Sequence, residues 1–134
     1  MDYLEKLKVG QIPSIIQSSN CIVSLENESS PVLNYNTSTV PAEALASGKC
    51  VLISNVLHKK EPYNKLENGK EILVVDSNNE LEINKILQEK INNTESTDIK
   101  GLEGYKSFSK YNKFNDYINR TIELYKSTIE SKYL

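Results

Sequence analysis

The stretch richest in possible chemistry is Ser38-Thr39-Val40-Pro41-Ala42-Glu43-Ala44-Leu45-Ala46-Ser47-Gly48. It reads as a polar loop running into a helix. Thr39 is suited to cap the helix, and Pro41 suits a first turn, where its missing N–H costs nothing. Gly48 is suited to end it in the left-handed conformation. The first amides of a helix have no partner within it, and the helix dipole favours an anion at that end. The amides of Ser38, Thr39 and Val40 therefore suit a phosphate. Glu43, one turn in, carries a carboxylate that can accept hydrogen bonds from a diol. The same residues also admit a plainer reading, with Ser38 and Thr39 as caps and Glu43 as a complement to the dipole.

Other chemistry-bearing residues are sparse. His58 is the single histidine and sits beside Lys59 and Lys60, with no neighbour in sequence to position it as a general base. Cys21 and Cys50 each open an apolar run. They read as small buried hydrophobes, reduced as in a cytoplasmic protein. Two cysteines and one histidine do not by themselves fill a four-ligand zinc site. No Gly-x-Ser-x-Gly elbow, phosphate-binding Gly-rich loop or metal-ligand spacing occurs, so no bound metal or cofactor is expected. The cations are 15 Lys and one Arg, which leaves few of the bidentate anion clamps that Arg supplies.

These residues need a scaffold, and the chain has one domain's worth of length: 134 residues, 16 basic against 18 acidic, net charge -2. Without a basic excess, a nucleic-acid partner is not expected. No apolar run approaches the roughly 18 residues of a membrane span, and the start lacks a secretory signal. Three apolar runs, Cys21–Leu25, Cys50–Ser54 and Glu71–Val75, read as buried strands. Helices are expected over Ile12–Ser19, from Thr39 to Gly48, and from a Ser77-x-x-Glu80 capping box through Leu81, Ile83, Ile86, Leu87 and Ile91. Residues 55–70 read as a polar connection with one helical turn near Glu61–Leu66 and a turn at Asn68-Gly69. Residues 92–98 read as a polar linker. The tail is helical by pattern, with Phe114, Tyr117, Ile118, Thr121, Ile122, Tyr125 and Ile129 forming a packing stripe. Strands alternating with helices predict an α/β fold with a parallel sheet covered on both faces. With about three strands it is a partial doubly wound sheet, divided as 1–98 for the sheet unit and 99–134 for a helical extension packed on it. An unfinished sheet edge also invites self-association.

From Pro41 to Ser54 the chain reads Pro-Ala-Glu-Ala-Leu-Ala-Ser-Gly-Lys-Cys-Val-Leu-Ile-Ser. That stretch resembles the signature of group 1 glycosyltransferases of the GT-B fold. Residues 12–24 are similar to the strand-leading segment of that family. Glu61 through Asn68-Gly69 to Val75, and then Asp76 to Ile91, resemble the segments that follow. The resemblance covers roughly residues 11–92. It implies a Rossmann-like donor-binding unit, the C-terminal part of a glycosyltransferase that moves a sugar from a nucleoside-diphosphate donor to an acceptor. Glu43 would match the second Glu of the Glu-x7-Glu motif and receive the ribose hydroxyls. The amides around Ser38, Thr39 and Val40 would face the diphosphate, and Glu61 would match a site-adjacent carboxylate. Tyr35 stands where the first Glu, beside the transferred sugar, belongs. The resemblance further implies a cleft completed by an N-terminal domain or partner chain, so this chain alone would not turn over. Lys49, Lys59 and Lys60 are the nearby cations for a leaving diphosphate. A non-catalytic nucleotide-binding or subunit-interaction module of the same fold is the alternative.

Overall fold

A computed structural model describes residues 8–27, 39–111 and 114–133. After a 3-10 turn at Val9–Gln11, α1 spans Ile12–Ser18 with Pro13 in its first turn. Strand β1 is Cys21–Ser24, α2 is Thr39–Ala46, and β2 is Cys50–Ser54. A short helix α3, Asn55–His58, and a 3-10 turn, Tyr63–Lys65, lead to β3, Leu73–Val75. Three helices close the chain: α4, Glu80–Asn92; α5, Thr94–Tyr111; and α6, Phe114–Tyr133.

The strands form one parallel sheet in the order β1-β2-β3. The expected α/β architecture, a three-stranded parallel sheet flanked by helices, is therefore present, and it is compatible with a partial Rossmann-like fold. Every residue of β2 is buried, as a central strand covered on both faces requires. Its side chains alternate between two cores. Val51 and Ile53 join Ala44 and Leu45 of α2 with Leu57, Tyr63, Leu66 and Ile72, and Phe108 of α5 packs against them. Cys50 and Leu52 join Leu73 and Val75 on the other face, under Ile83, Ile86 and Leu87 of α4.

Local chemistry explains the ends of α2. Gly48 has φ 73°, and the amides of Gly48 and Lys49 bond the carbonyls of Leu45 and Ala44. This reversed pair satisfies the last helical carbonyls. Gly69, with φ 88°, turns the chain as Asn68-Gly69 predicts. Thr39 is the first helical residue of α2 and not the residue before it.

Several expectations are corrected. The connection 55–70 is not simply polar: Leu57 and Tyr63 are fully buried and Leu66 nearly so. Ser54 caps α3, accepting a hydrogen bond from the Leu57 amide at 3.3 Å. The cap of α4 is Asn79, two residues beyond Ser77. Its Oδ1 accepts from the Glu82 amide at 3.1 Å, and its Nδ2 donates to the Glu82 carboxylate. The reciprocal pair is thus Asn79-x-x-Glu82. Replacing Asn79 by Ala should lower stability by about 1 kcal/mol, read as a shift of the urea midpoint with an unchanged slope. Of the apolar residues assigned to one face of α4, Leu81 and Ile91 are exposed. Lys90 takes a buried place instead.

The linker expected at 92–98 is helical from Thr94. Asn93 accepts from the Ser96 amide, and the buried Thr97 hydroxyl bonds the Lys90 carbonyl. Helix α5 then runs unbroken across positions 98 and 99. It meets the sheet unit through Gly101 and Gly104, while Ser107 donates to the Glu71 carboxylate and Lys100 to the Gly69 carbonyl. Of the stripe expected to pack on α6, Ile118, Ile122, Tyr125 and Ile129 are exposed, Thr121 is half-buried, and the Phe114 and Tyr117 side chains lie outside the described ones. Periodicity marks a face but does not say what covers it.

Candidate functional site

The carboxyl edge of a parallel sheet is where open α/β folds bind ligands. Here β1 delivers Leu25, Glu26 and Asn27 to that edge, and β2 delivers the start of α3. Helix α2 returns from the same edge. Thr39 and Val40, its first two residues, are exposed. Pro41 has no amide proton, and the Ala42 amide hydrogen-bonds the Tyr63 hydroxyl. Among the described residues, the Thr39 and Val40 amides are therefore the ones the helix start offers outward.

Glu43 lies on the second turn of α2 and is exposed. It lines a cavity of about 340 Å³ with Ala46 and Ser47 of its own helix and Ile12, Pro13 and Ile16 of α1. The wall from α1 is apolar, so among the described residues lining the cavity Glu43 is the charged one. Lys49 ties the two helices together, its ammonium bonding the Gln17 carbonyl at 2.8 Å. That places Lys49 past the C-terminal end of α2, about 12 Å of helix from Thr39. It does not serve an anion at the helix start. Lys59 and Lys60 follow α3 on the carboxyl side of β2.

Beneath the start of α2 sits a group that sequence reasoning did not assemble. Tyr63 is fully buried. Burial pushes its hydroxyl pKa up to about 12; the Glu26 charge adds to this, and the Ala42 amide opposes it. Glu26 itself has one carboxylate oxygen, Oε2, that is fully covered and has no hydrogen-bond partner among the described residues. The only hint in sequence was that Tyr63 recurs with Leu57 and Leu66 inside a polar segment.

The remaining candidates divide. Thr39, Val40 and Glu43 lie together along α2. Glu61 is exposed, pairs with Lys65 at 3.7 Å, and is not part of the Glu43 cavity. Tyr35 and Ser38 lie outside the described residues. His58 is structural in its contacts, with Nε2 bonded to the Leu66 carbonyl at 2.9 Å. Among the described residues no cluster of three or more His, Cys, Asp or Glu is placed to hold a metal, and no helix is long and apolar enough to cross a membrane.

Compared with protein-family models, curated proteins and solved structures, the chain matches none.

Proposed function

We propose that this chain is the donor-binding portion of a glycosyltransferase, taking a nucleoside-diphosphate sugar at the start of α2. The observation that carries the reading is the position of Glu43. It is an exposed carboxylate one turn inside a helix that leaves the carboxyl edge of a parallel sheet, and it faces a cavity. In this reading Glu43 accepts hydrogen bonds from the ribose hydroxyls. The Thr39 and Val40 amides hold the diphosphate. During transfer the bond from the anomeric carbon to the phosphate oxygen breaks, an acceptor oxygen takes its place, and these amides stabilise the charge left on the diphosphate. Acceptor contacts come from a second domain or a partner chain. The resemblance of residues 41–54 to the group 1 signature supports the same assignment.

A second reading rests on Tyr35. A phenol eight positions before Glu43 cannot supply the carboxylate that the resembling family uses beside the transferred sugar. This favours a module that binds nucleotide without transferring the sugar.

Titration of the labelled chain with UDP, GDP and ADP, followed by amide chemical shifts, tests both readings at their shared step. Saturable shifts confined to residues 39–44 and their neighbours are expected with one of the three. Glu43→Ala should weaken that affinity at least about tenfold, the loss of a charge-assisted hydrogen bond. Its stability should stay within about 0.5 kcal/mol of wild type, as for an exposed position. Absence of shifts with every nucleotide, in a folded sample, would sink the proposal. Transfer or donor hydrolysis, once the acceptor-side domain is supplied, separates the enzyme from the module.

A further inference from the structure

The opposite edge of the sheet carries a second arrangement of reactive groups. Cys21 opens β1 and Cys50 opens β2, and the two are direct partners in the parallel register. Paired positions on neighbouring strands point their side chains to the same face. Both cysteines accordingly belong to the core under α4, and the Cys21 thiol donates to the Ile22 carbonyl at 3.8 Å. Neighbouring strands run about 4.7–4.9 Å apart, inside the roughly 4.4–6.8 Å between Cα atoms that a disulfide spans. Both are free thiols in this structure.

The surroundings are unusual for inert core thiols. Lys90 is buried, with 7% of its side chain exposed, and its ion-pair partner is the adjacent Glu89 at 3.5 Å. Its positive charge acts on both cysteines. A cavity of about 300 Å³ reaches Cys21, lined also by Asn20, Val23, Leu87, Lys90 and Ile91. Cys21 stands on the cavity wall, and Cys50 is sealed behind it at 2% exposure. Gly101 of α5 lies against the Cys50 backbone, which holds that strand in place.

We propose that Cys21 and Cys50 form a redox-active dithiol, oxidised through this cavity by a small anionic disulfide that the Lys90 ammonium attracts. The neighbouring Cys21, aided by Lys90 and Lys100 against burial and Asp98, draws the Cys50 thiol below its ordinary range. Cys50 and burial raise the Cys21 thiol in turn. Cys50 therefore takes the proton of Cys21, the sulfur facing the cavity, as Cys21 reacts. The Cys21 thiolate attacks one sulfur of the small disulfide, whose S–S bond breaks. A mixed disulfide forms on Cys21, and a first thiolate leaves and is protonated by water. Cys50 then gives up its proton and attacks the Cys21 sulfur. The mixed bond breaks, the second small thiolate takes the proton, and the Cys21–Cys50 bond forms. In balance, two protein thiols are oxidised by two electrons and one small disulfide is reduced to two thiols. The product staples the edge strand β1 to β2.

The test uses the folded chain and glutathione disulfide as the probe, with acid quenching, alkylation of remaining thiols and intact-mass measurement. The expected product is a monomer lighter by two hydrogens, without an adduct and with neither cysteine alkylated. Cys50→Ser, checked beside Cys50→Ala, should stop with one glutathione on Cys21, whereas Cys21→Ser should stay unmodified. Lys90→Met should slow the first step about tenfold, as expected when a thiolate loses a neighbouring cation. The proposal is overturned if both thiols of the native chain remain alkylatable while the urea-unfolded chain oxidises. It is equally overturned if wild type halts at the mixed disulfide, or if cross-links form only between chains. A Lys90→Met chain that melts and reacts like wild type overturns the part given to Lys90.

Discussion

Alanine at Gly101 or Gly104 should destabilise the chain by about 3 kcal/mol or more at either site, and the double substitution should not fold. The sign is the reverse of what a helix alone would give, since Ala is about 1 kcal/mol better than Gly in a helix interior. Both glycines lie within α5, and both are buried. A Cβ on Gly101 would overlap the Gly48 carbonyl oxygen and come within 2.8 Å of the Cys50 nitrogen and 2.9 Å of the Lys49 carbonyl carbon. All three are backbone atoms in the tight turn between α2 and β2, so no rotamer change relieves them. A Cβ on Gly104 would overlap the Glu71 carbonyl oxygen and sit 3.0 Å from Leu45 Cδ2. Relief in either case requires α5 to move off the sheet, exposing Phe108 and part of the core it covers. Urea unfolding of the single variants measures the loss. A stability equal to wild type would mean that α5 does not approach the sheet this closely.

The second large effect is expected at Tyr63. Tyr63→Ala should cost about 3–5 kcal/mol, the range for emptying a buried aromatic site. Tyr63 fills the space between the start of α2 and the β2–β3 connection, against Ala44, Leu45 and Leu57 in the same core. Tyr63→Phe keeps the packing and removes the hydroxyl. At neutral pH it should cost about 1–2 kcal/mol, because the Ala42 amide loses its partner. In alkali the order should narrow and reverse. The hydroxyl pKa is raised on folding from its ordinary value of 10.0 to about 12. The native state therefore holds the Tyr63 proton more tightly than the unfolded chain does. The stability this contributes is present below pH 10 and is lost as pH rises toward 12. The loss amounts to about 2–3 kcal/mol. Lysine titration also acts in this window, so the measured quantity is the difference between wild type and Tyr63→Phe. A difference that stays constant from pH 8 to about 12 would show that the hydroxyl is not held in this environment.

The two substitutions bear on the candidate site in different ways. Tyr63 supports the first turn of α2 from below, so its loss should disturb Thr39, Val40 and Glu43 together. Gly101 and Gly104 hold the opposite side of α2 through Gly48 and Leu45. Glu43 itself supports nothing in the core, which is why its replacement is the clean probe of binding.

Much of this molecule follows from relations between residues close in sequence. The runs Cys-Ile-Val-Ser and Cys-Val-Leu-Ile-Ser are too apolar to face water and too short to be helices. Separated by a helix, they allow little but a parallel pair. Gly48 and Gly69 mark turns because only glycine takes positive φ there without strain. The place of Glu43 one turn into a helix was legible for the same reason: Pro41 and Gly48 punctuate α2 from both ends. What sequence left open depends on residues that meet across about 20 positions or more. The Cys21–Cys50 pairing is a matter of strand register, and the approach of Gly101 to Gly48 is a matter of how a helix docks. The burial of Lys90 and the Glu26–Tyr63–Ala42 group likewise depend on which faces come together. Between Ser77 and Asn79 two caps of similar local quality competed. Periodicity and turn chemistry act over one to four residues and are written in the chain. Register and close approach are settled when the whole sheet closes and each buried polar group must find a partner, so only the tertiary structure decided them.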